Sequence, residues 1–231
     1  MFYFDPLYFV FALPALLLAL YAQLKVKSAY NKYTQVRNLR GLTGLDAARA
    51  ILRPEGLSDV TVKGVPGTLS DHYDPRDKSL GLSQGVAQQP SVASLAIVAH
   101  EIGHALQDHT AYAPLKLRSA IVPAVQVSPW IAYGLFALGA FLNSSALLGL
   151  GIVVFSATVI FALVTMPVEF DASRRGLRLL QTHQLVDGRE LQGAKAVLDA
   201  AALTYVAALA QSVATLLYYV FRFTSLGRRE D

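Results

Sequence analysis

The stretch Ser91-Val-Ala-Ser-Leu-Ala-Ile-Val-Ala-His100-Glu101-Ile-Gly-His104 reads as one continuous helix that ends in an HExxH string. On a helix, His100 and His104 are four residues apart and project from one face, so both imidazoles can reach a single metal ion. Glu101 is then turned toward the position of a metal-bound water, whose proton it can take. The pattern predicts a zinc centre with hydrolytic chemistry, against the alternative of two helix histidines that bind nothing.

The composition indicates a membrane protein. Hydrophobic residues make up 54% of the 231 residues and charged residues only 16%, which is too apolar for an ordinary soluble domain. The chain contains no cysteine, so disulfides and thiolate ligands are excluded. Any zinc must therefore be held by histidine and carboxylate side chains.

Four segments lack charge over about the twenty residues that a helix needs to cross the hydrocarbon of a bilayer. They are residues 7–24, 121–142, 146–168 and 203–221. We predict four transmembrane helices, with a buried core helix as the alternative, strongest for the last segment because it carries Gln211. No basic residue precedes the first segment, so we expect an anchor and not a cleaved signal peptide.

The basic residues predict an orientation in the cell membrane. Twelve Lys and Arg residues lie between 25 and 120 and five between 169 and 202, whereas none precedes residue 7. Basic loops favour the cytoplasmic side, so both polar segments are expected there. Three arginines oppose this assignment, because a complete fourth crossing would place them outside: Arg222, Arg228 and Arg229.

These features predict a mainly α membrane protein with four transmembrane helices and a small α+β cytoplasmic metallopeptidase region that carries the HExxH helix. The expected parts are a transmembrane anchor (1–24), the cytoplasmic peptidase region (25–120), a transmembrane hairpin (121–168), a cytoplasmic segment with the third zinc ligand (169–202), and the fourth transmembrane helix with a tail (203–231).

Local patterns predict short elements inside the peptidase region. Residues 25–40 suit a basic helix in the headgroup region or a solvated linker, and 47–52 suit a short helix. Residues 60–62 and 78–83 have strand character and are joined by the turn-rich segment 71–75. We expect the strand 78–83 to be the sheet edge along which an extended substrate adds, with an internal strand as the alternative.

A zinc site of this kind needs a third protein ligand. The candidates are His72, His109, His183, Glu169 and Asp171. We favour Glu169, because a carboxylate at a membrane boundary is unfavourable unless it has a function or a partner. Asp171 would point about 200 degrees away from Glu169 on a continuous helix, so only one of the two can reach the metal. Asp171 stays open as the ligand or as a support for a ligand.

Three stretches resemble the bacterial membrane zinc metallopeptidases of the YugP type, across nearly the whole chain. They are Asp71-His-Tyr-Asp-Pro75, the stretch from Ser91 to Ala105, and Pro167-Val-Glu-Phe-Asp-Ala-Ser-Arg-Arg175. The last stretch is also similar to the third-ligand segment of the Ste24 and HtpX peptidases, where a glutamate completes the zinc site. The resemblance implies a gluzincin-like centre in which His100, His104 and Glu169 bind Zn2+ and Glu101 is the base.

One position departs from the more distant of these relatives. They usually have an aspartate four residues beyond the ligand glutamate, whereas this chain has Ser173. We therefore expect a different arrangement around the ligands, in which Asp171 or another carboxylate orients a histidine.

A second donor beside the metal would stabilise the oxyanion of the transition state. Five residues are chemically able to supply it: Arg174, Arg175, His183, His72 and Tyr73. For the two arginines the alternative is contact with phosphate at the cytoplasmic surface.

The expected function is an integral-membrane zinc metalloendopeptidase that hydrolyses membrane or membrane-proximal proteins. The alternative is a zinc-containing membrane scaffold or adaptor without hydrolytic activity. The intact Glu101 favours the enzyme, because a purely structural zinc has no use for a base. The expected partners are a polypeptide substrate, the lipid bilayer, and a regulatory membrane partner or a second copy of the chain, with no nucleic acid.

Overall fold

The computed structural model describes residues 6–227. In chain order its elements are α1 (Pro6–Thr34), α2 (Gly44–Leu52), β1 (Thr61–Val65), β2 (His72–Asp74), β3 (Ser79–Ser83), α3 (Gln84–Gln88), α4 (Val92–His109), α5 (Ala113–Phe141), α6 (Ser145–Thr182) and α7 (Gly188–Gly227). Within the described range the chain forms two compact units. An apolar unit contains residues 6–22, 117–166 and 204–227, and a mixed unit contains residues 23–116 and 167–203.

Among residues 6–227, four helices are long and apolar enough to cross a membrane: α1, α5, α6 and α7. At most 22% of the apolar window of any of them is buried by the rest of the chain, so the alternative of buried core helices is wrong. Large apolar side chains such as Trp130, Phe141 and Val153 are 70% or more exposed. Such a surface requires a hydrocarbon environment. The chain is therefore a multi-pass membrane protein, as its composition predicted. Residues 1–5 of the predicted anchor and residues 228–231 of the predicted tail, which include Arg228 and Arg229, lie outside the described residues.

Two helix boundaries differ from the sequence prediction. The segment 25–40 is not a separate helix, because residues 25–34 continue α1 and Arg37 then pairs with Ser91 in an isolated antiparallel bridge. The helix expected at 47–52 begins three residues earlier, at Gly44. It does so because Thr43 and Asp46 form a capping box, in which each side chain accepts a hydrogen bond from the backbone N–H of the other.

The mixed unit contains a three-stranded sheet in the order β1-β3-β2 among the described residues. β3 is parallel to β1 and antiparallel to β2, with Tyr73 opposite Leu80. β3 is therefore the central strand, and the prediction that residues 78–83 form a free substrate edge is wrong. The segment 71–75 is also not only a turn, since it contains β2. Asp71 accepts hydrogen bonds from the backbone N–H and hydroxyl of Ser83, which holds the start of β2 beside the end of β3.

α4 is the central helix of the mixed unit. Its N-terminus is capped by Ser91, whose hydroxyl accepts a hydrogen bond from the backbone N–H of Ser94. Its apolar side chains belong to a core that also includes Ile51 of α2, Leu80 of β3 and Leu180 of α6. Burial on several sides holds the helix in place, so the polar side chains in its second half have fixed positions.

Candidate metal centre

The second half of α4 and the α6 segment of the mixed unit bring three metal-binding side chains together. Oε2 of Glu169 lies 3.3 Å from Nε2 of His100 and 3.5 Å from Nε2 of His104. All three side chains are enclosed, with exposed fractions of 13% for His100, 11% for His104 and 3% for Glu169. The group lies entirely within the mixed unit.

The spacing of these atoms fits a zinc ion. Nitrogen and oxygen ligands about 2.0 to 2.2 Å from a tetrahedral zinc lie roughly 3.3 to 3.6 Å from one another. The two His–Glu169 distances, 3.3 and 3.5 Å, fall in this range and exceed those of ordinary N–H···O hydrogen bonds. Two imidazoles and one carboxylate are also the ligands of catalytic zinc sites that keep a fourth position for water or substrate. Among residues 6–227, no other group of three His, Asp or Glu side chains converges in this way.

The other predicted candidates for the third ligand are engaged elsewhere. His183 Nε2 lies 2.8 Å from Oε1 of Glu55, and His72 Nδ1 lies 2.9 Å from the carbonyl of Ser70. His109 is exposed at the end of α4. The structure thus brings Glu169, and none of the three other histidines, to His100 and His104.

Gln107 orients His104. Its Nε2 donates hydrogen bonds to the backbone carbonyl of Val168, at 2.8 Å, and to Oδ2 of Asp171, at 2.9 Å. With the amide nitrogen fixed in this way, the amide oxygen faces Nδ1 of His104 at 3.0 Å and accepts a hydrogen bond from it. His104 is therefore held in the tautomer whose Nε2 lone pair faces Glu169, as metal binding requires.

Ser173 contacts the other histidine, with its hydroxyl 3.1 Å from Nδ1 of His100. We expected Asp171 or another carboxylate to orient a histidine, and the groups that contact the two Nδ1 atoms are an amide and a hydroxyl. Asp171 acts one step further out, on Gln107. Sequence reasoning missed Gln107, although a glutamine three residues after His104 on an apolar helix was a usable signal, since residues at this spacing share a face.

Two glycines allow α4 and α6 to approach closely. A Cβ on Gly103 of α4 would clash with the backbone carbonyl of Ala172. A Cβ on Gly176 of α6 would lie 2.8 Å from the backbone of Ala99. Both contacts are with backbone, which cannot swing aside as a side chain can. Because Gly103 and Gly176 have no Cβ, α4 and α6 can lie at the separation at which Glu169 reaches the two histidines.

Gly176→Ala is expected to move α6 away from α4, because the new methyl group overlaps the Ala99 backbone. We expect the free energy of unfolding to fall by about 1 to 3 kcal/mol and zinc affinity to fall with it. Thermal unfolding and competition with a chromogenic chelator measure the two effects. The matched control is Gly134→Ala, where a Cβ meets nothing within 4 Å. Wild-type zinc binding and stability in Gly176→Ala would show that this contact does not position Glu169.

Glu101 is mostly buried beside His100 and His104 on α4. Its Oε2 accepts a hydrogen bond from the backbone N–H of Tyr73, at 3.0 Å, and the Tyr73 hydroxyl donates to Oδ2 of Asp108, at 2.9 Å. Burial raises the pKa of the Glu101 carboxyl, although His100 and His104 act in the opposite direction. The outer edge of β2 thus holds the carboxylate that the sequence predicted as the base.

The predicted oxyanion donors already have partners inside the protein. Arg175 Nε donates to Oδ2 of Asp171 at 2.6 Å, and its guanidinium lies over the ring of Tyr112. Arg174 makes a longer contact of 3.5 Å with Oδ1 of Asp171. The hydroxyl of Tyr73 is bonded to Asp108. None of these contacts joins Arg174 or Arg175 to the His–His–Glu group.

Four apolar helices and an enclosed His–His–Glu group define a multi-pass membrane protein with a site suited to zinc. Residues 8–224 match the family described as "Putative neutral zinc metallopeptidase", and the chain belongs to this family. It is 44% identical over 225 residues to the "Putative membrane protease YugP" of Bacillus subtilis (strain 168), a match that covers 97% of this chain and 100% of that protein. The resemblance predicted from the three sequence stretches is confirmed. No solved structure matches the chain.

Proposed function

We propose that the protein is an integral-membrane zinc metalloendopeptidase that hydrolyses membrane or membrane-proximal polypeptides. The observation that carries this proposal is the geometry of the centre: Glu169 lies 3.3 and 3.5 Å from the two histidines, at the spacing of zinc ligands. Glu101 adjoins them on the same helix. Membership of the zinc metallopeptidase family and the likeness to a membrane protease support it.

The proposed roles follow from the contacts of each side chain. His100, His104 and Glu169 would hold zinc, while Gln107 keeps His104 in the binding tautomer and Ser173 contacts Nδ1 of His100. When bound, zinc would acidify a water molecule and polarise the scissile carbonyl. Glu101 takes the proton of the attacking water and delivers it to the nitrogen of the leaving amine.

The polypeptide substrate is proposed to add along β2 and not along β3. β3 is central, whereas β2 ends the sheet on the side of α4. The N–H of Tyr73 points away from β3, toward Glu101. An extended chain lying along this edge would therefore pass the proposed base.

The orientation proposal places the metal centre on the cytoplasmic side of the cell membrane. It rests on the excess of Lys and Arg in residues 25–120 and 169–202, which both contribute to the mixed unit. Cytoplasmic substrates would then be membrane proteins or polypeptides held near the membrane.

The chain has no cysteine, which allows a direct test of this orientation. A single cysteine at Arg76 is expected to resist an impermeant thiol reagent in intact cells, whereas one at Ser144, in the turn between α5 and α6, is expected to react. Labelling after permeabilisation is the control for accessibility. The reverse pattern would place the metal centre outside the cell.

The experiment that tests the proposed activity measures casein or peptide cleavage by the purified protein, together with its zinc content. We expect cleavage to stop when a chelator removes zinc and to return when zinc is restored. A protein that binds one zinc per chain but cleaves no substrate would support the scaffold or adaptor alternative.

A further inference from the structure

A cavity with a volume of about 590 Å³ lies in the mixed unit. Its polar lining includes Glu55, Asp171, Arg174, Arg175, Arg178 and Thr182. None of the three proposed zinc ligands lines it. Three guanidinium groups dominate the polar lining, so the cavity has the chemistry of an anion site.

The carboxylates of the cavity are already paired, and this leaves part of the positive charge available. Glu55 contacts His183 at 2.8 Å, and Asp171 accepts a 2.6 Å hydrogen bond from Arg175. The side chain of Arg174 is 73% exposed and lies 3.5 Å from Asp171. Arg178 is exposed and forms no ion pair with any carboxylate in the described part of the chain.

Arg174 and Arg178 are four residues apart on α6, so their guanidinium groups lie on one face of the helix. Two like charges at this spacing repel one another and destabilise a helix slightly. A bound anion would remove this repulsion. The hydroxyl-bearing Thr182 is a further four residues along the same face and lines the same cavity.

The position of the pair on α6 also fits a phosphate. Arg174 and Arg178 lie six and ten residues after Val168, the last residue of the third predicted span, which is about 9 and 15 Å along the helix axis. Basic side chains at this distance from an apolar span meet the phosphates of lipid headgroups or of cytosolic solutes. Guanidinium groups bind phosphoryl oxygens through charge-assisted hydrogen bonds.

We propose that this cavity is a binding site for a phosphoryl anion, held by Arg174 and Arg178, while Arg175 stays bonded to Asp171. The anion is either the headgroup of an anionic phospholipid or a soluble phosphate. None of the three proposed zinc ligands lines the cavity, although Asp171 borders it and reaches His104 through Gln107. The proposal does not depend on peptidase activity.

Two arms of one experiment distinguish the sources, with thermal unfolding of the full chain as the readout. In maltoside micelles, which contain no phosphate, inorganic phosphate is titrated at constant ionic strength. In nanodiscs without added phosphate, phosphatidylcholine alone is compared with a mixture that contains phosphatidylglycerol. Binding to the folded state raises the unfolding temperature. A higher unfolding temperature with phosphate supports a soluble ligand, and a higher unfolding temperature with phosphatidylglycerol supports a lipid. A rise in both arms supports a site that recognises the phosphoryl group itself.

Arg174→Gln combined with Arg178→Gln is expected to raise the phosphate or phosphatidylglycerol concentration for half-maximal stabilisation about tenfold or more. Arg178→Gln alone gives the same test if the double variant is unstable, because Arg178 has no ion pair to lose among the described residues. The matched control is Arg189→Gln, an exposed arginine at the start of α7, which is expected to respond like wild type.

The proposal is overturned if the cavity variants respond like wild type, if neither phosphate nor phosphatidylglycerol raises the unfolding temperature, or if acetate at equal ionic strength has the same effect. These experiments measure the unfolding temperature and not casein cleavage, so the proposed peptidase activity is tested separately.

Discussion

Glu101→Gln is expected to abolish hydrolysis while zinc stays bound. The substitution leaves His100, His104 and Glu169 in place, so the ligand atoms remain at their 3.3 and 3.5 Å spacing. The amide oxygen can still accept the hydrogen bond from the Tyr73 backbone, but the amide cannot take a proton from water. Loss of a general base lowers the rate of the chemical step by about 10² to 10⁴-fold.

The measurement pairs casein cleavage with zinc stoichiometry and thermal unfolding of the purified variant. Asp199→Asn is the matched control, because it also converts a carboxylate to an amide but lies on α7 with 60% of its side chain exposed. Activity close to wild type in Glu101→Gln would remove the base assignment. Loss of zinc in the same variant would mean that Glu101 supports the ligands and does not only act on water.

The second large effect is expected for Glu169→Ala, which removes an oxygen ligand from the centre. Zinc affinity should fall by a much larger factor than in Asp171→Ala, for which we expect a loss of about 10 to 100-fold. The two losses of zinc affinity differ because the two carboxylates lie at different distances from the imidazoles. Glu169 faces both imidazoles, whereas Asp171 reaches His104 only through Gln107.

Both variants are assayed for zinc stoichiometry and unfolding temperature, and Glu169→Gln provides a version that keeps the volume of the buried side chain. Comparing the variants with and without added zinc separates weaker coordination from a general loss of folding. An empty site in Asp171→Ala together with a full site in Glu169→Ala would make Asp171 the third ligand.

Much of the architecture could be predicted from the sequence because its signals are local. A run of about twenty uncharged residues has few stable environments other than a bilayer. Three of the four predicted spans fall within long helices that expose apolar surface, and the second, 121–142, extends one residue past the end of α5. The four-residue spacing of His100 and His104 likewise places both on one helical face without reference to the rest of the chain. Glu169 was selected by its position at the end of a span, which is also a local feature.

The sheet and the surroundings of the ligands depend on contacts between distant residues. Whether β3 is an edge or a central strand depends on two partners, β1 and β2, and a five-residue strand carries no signal for its neighbours. The capping box at Thr43 is a local feature that was overlooked, and so its helix boundary could have been predicted. The central position of β3 in the sheet could not have been predicted in this way.

The sequence by itself determined the membrane class and the helix that carries His100 and His104, because each follows from periodicity or polarity within one segment. It favoured Glu169 as the accompanying carboxylate but left Asp171 open. Only the tertiary structure decided which groups orient the histidines. Ser173 reaches His100 because Gly103 and Gly176 let α4 and α6 approach at backbone distance. Gln107 is local to His104, but its amide is oriented by Val168 and Asp171 of α6. The contact between Ser173 and His100 joins residues 73 positions apart, and its geometry arises from packing that no single segment encodes.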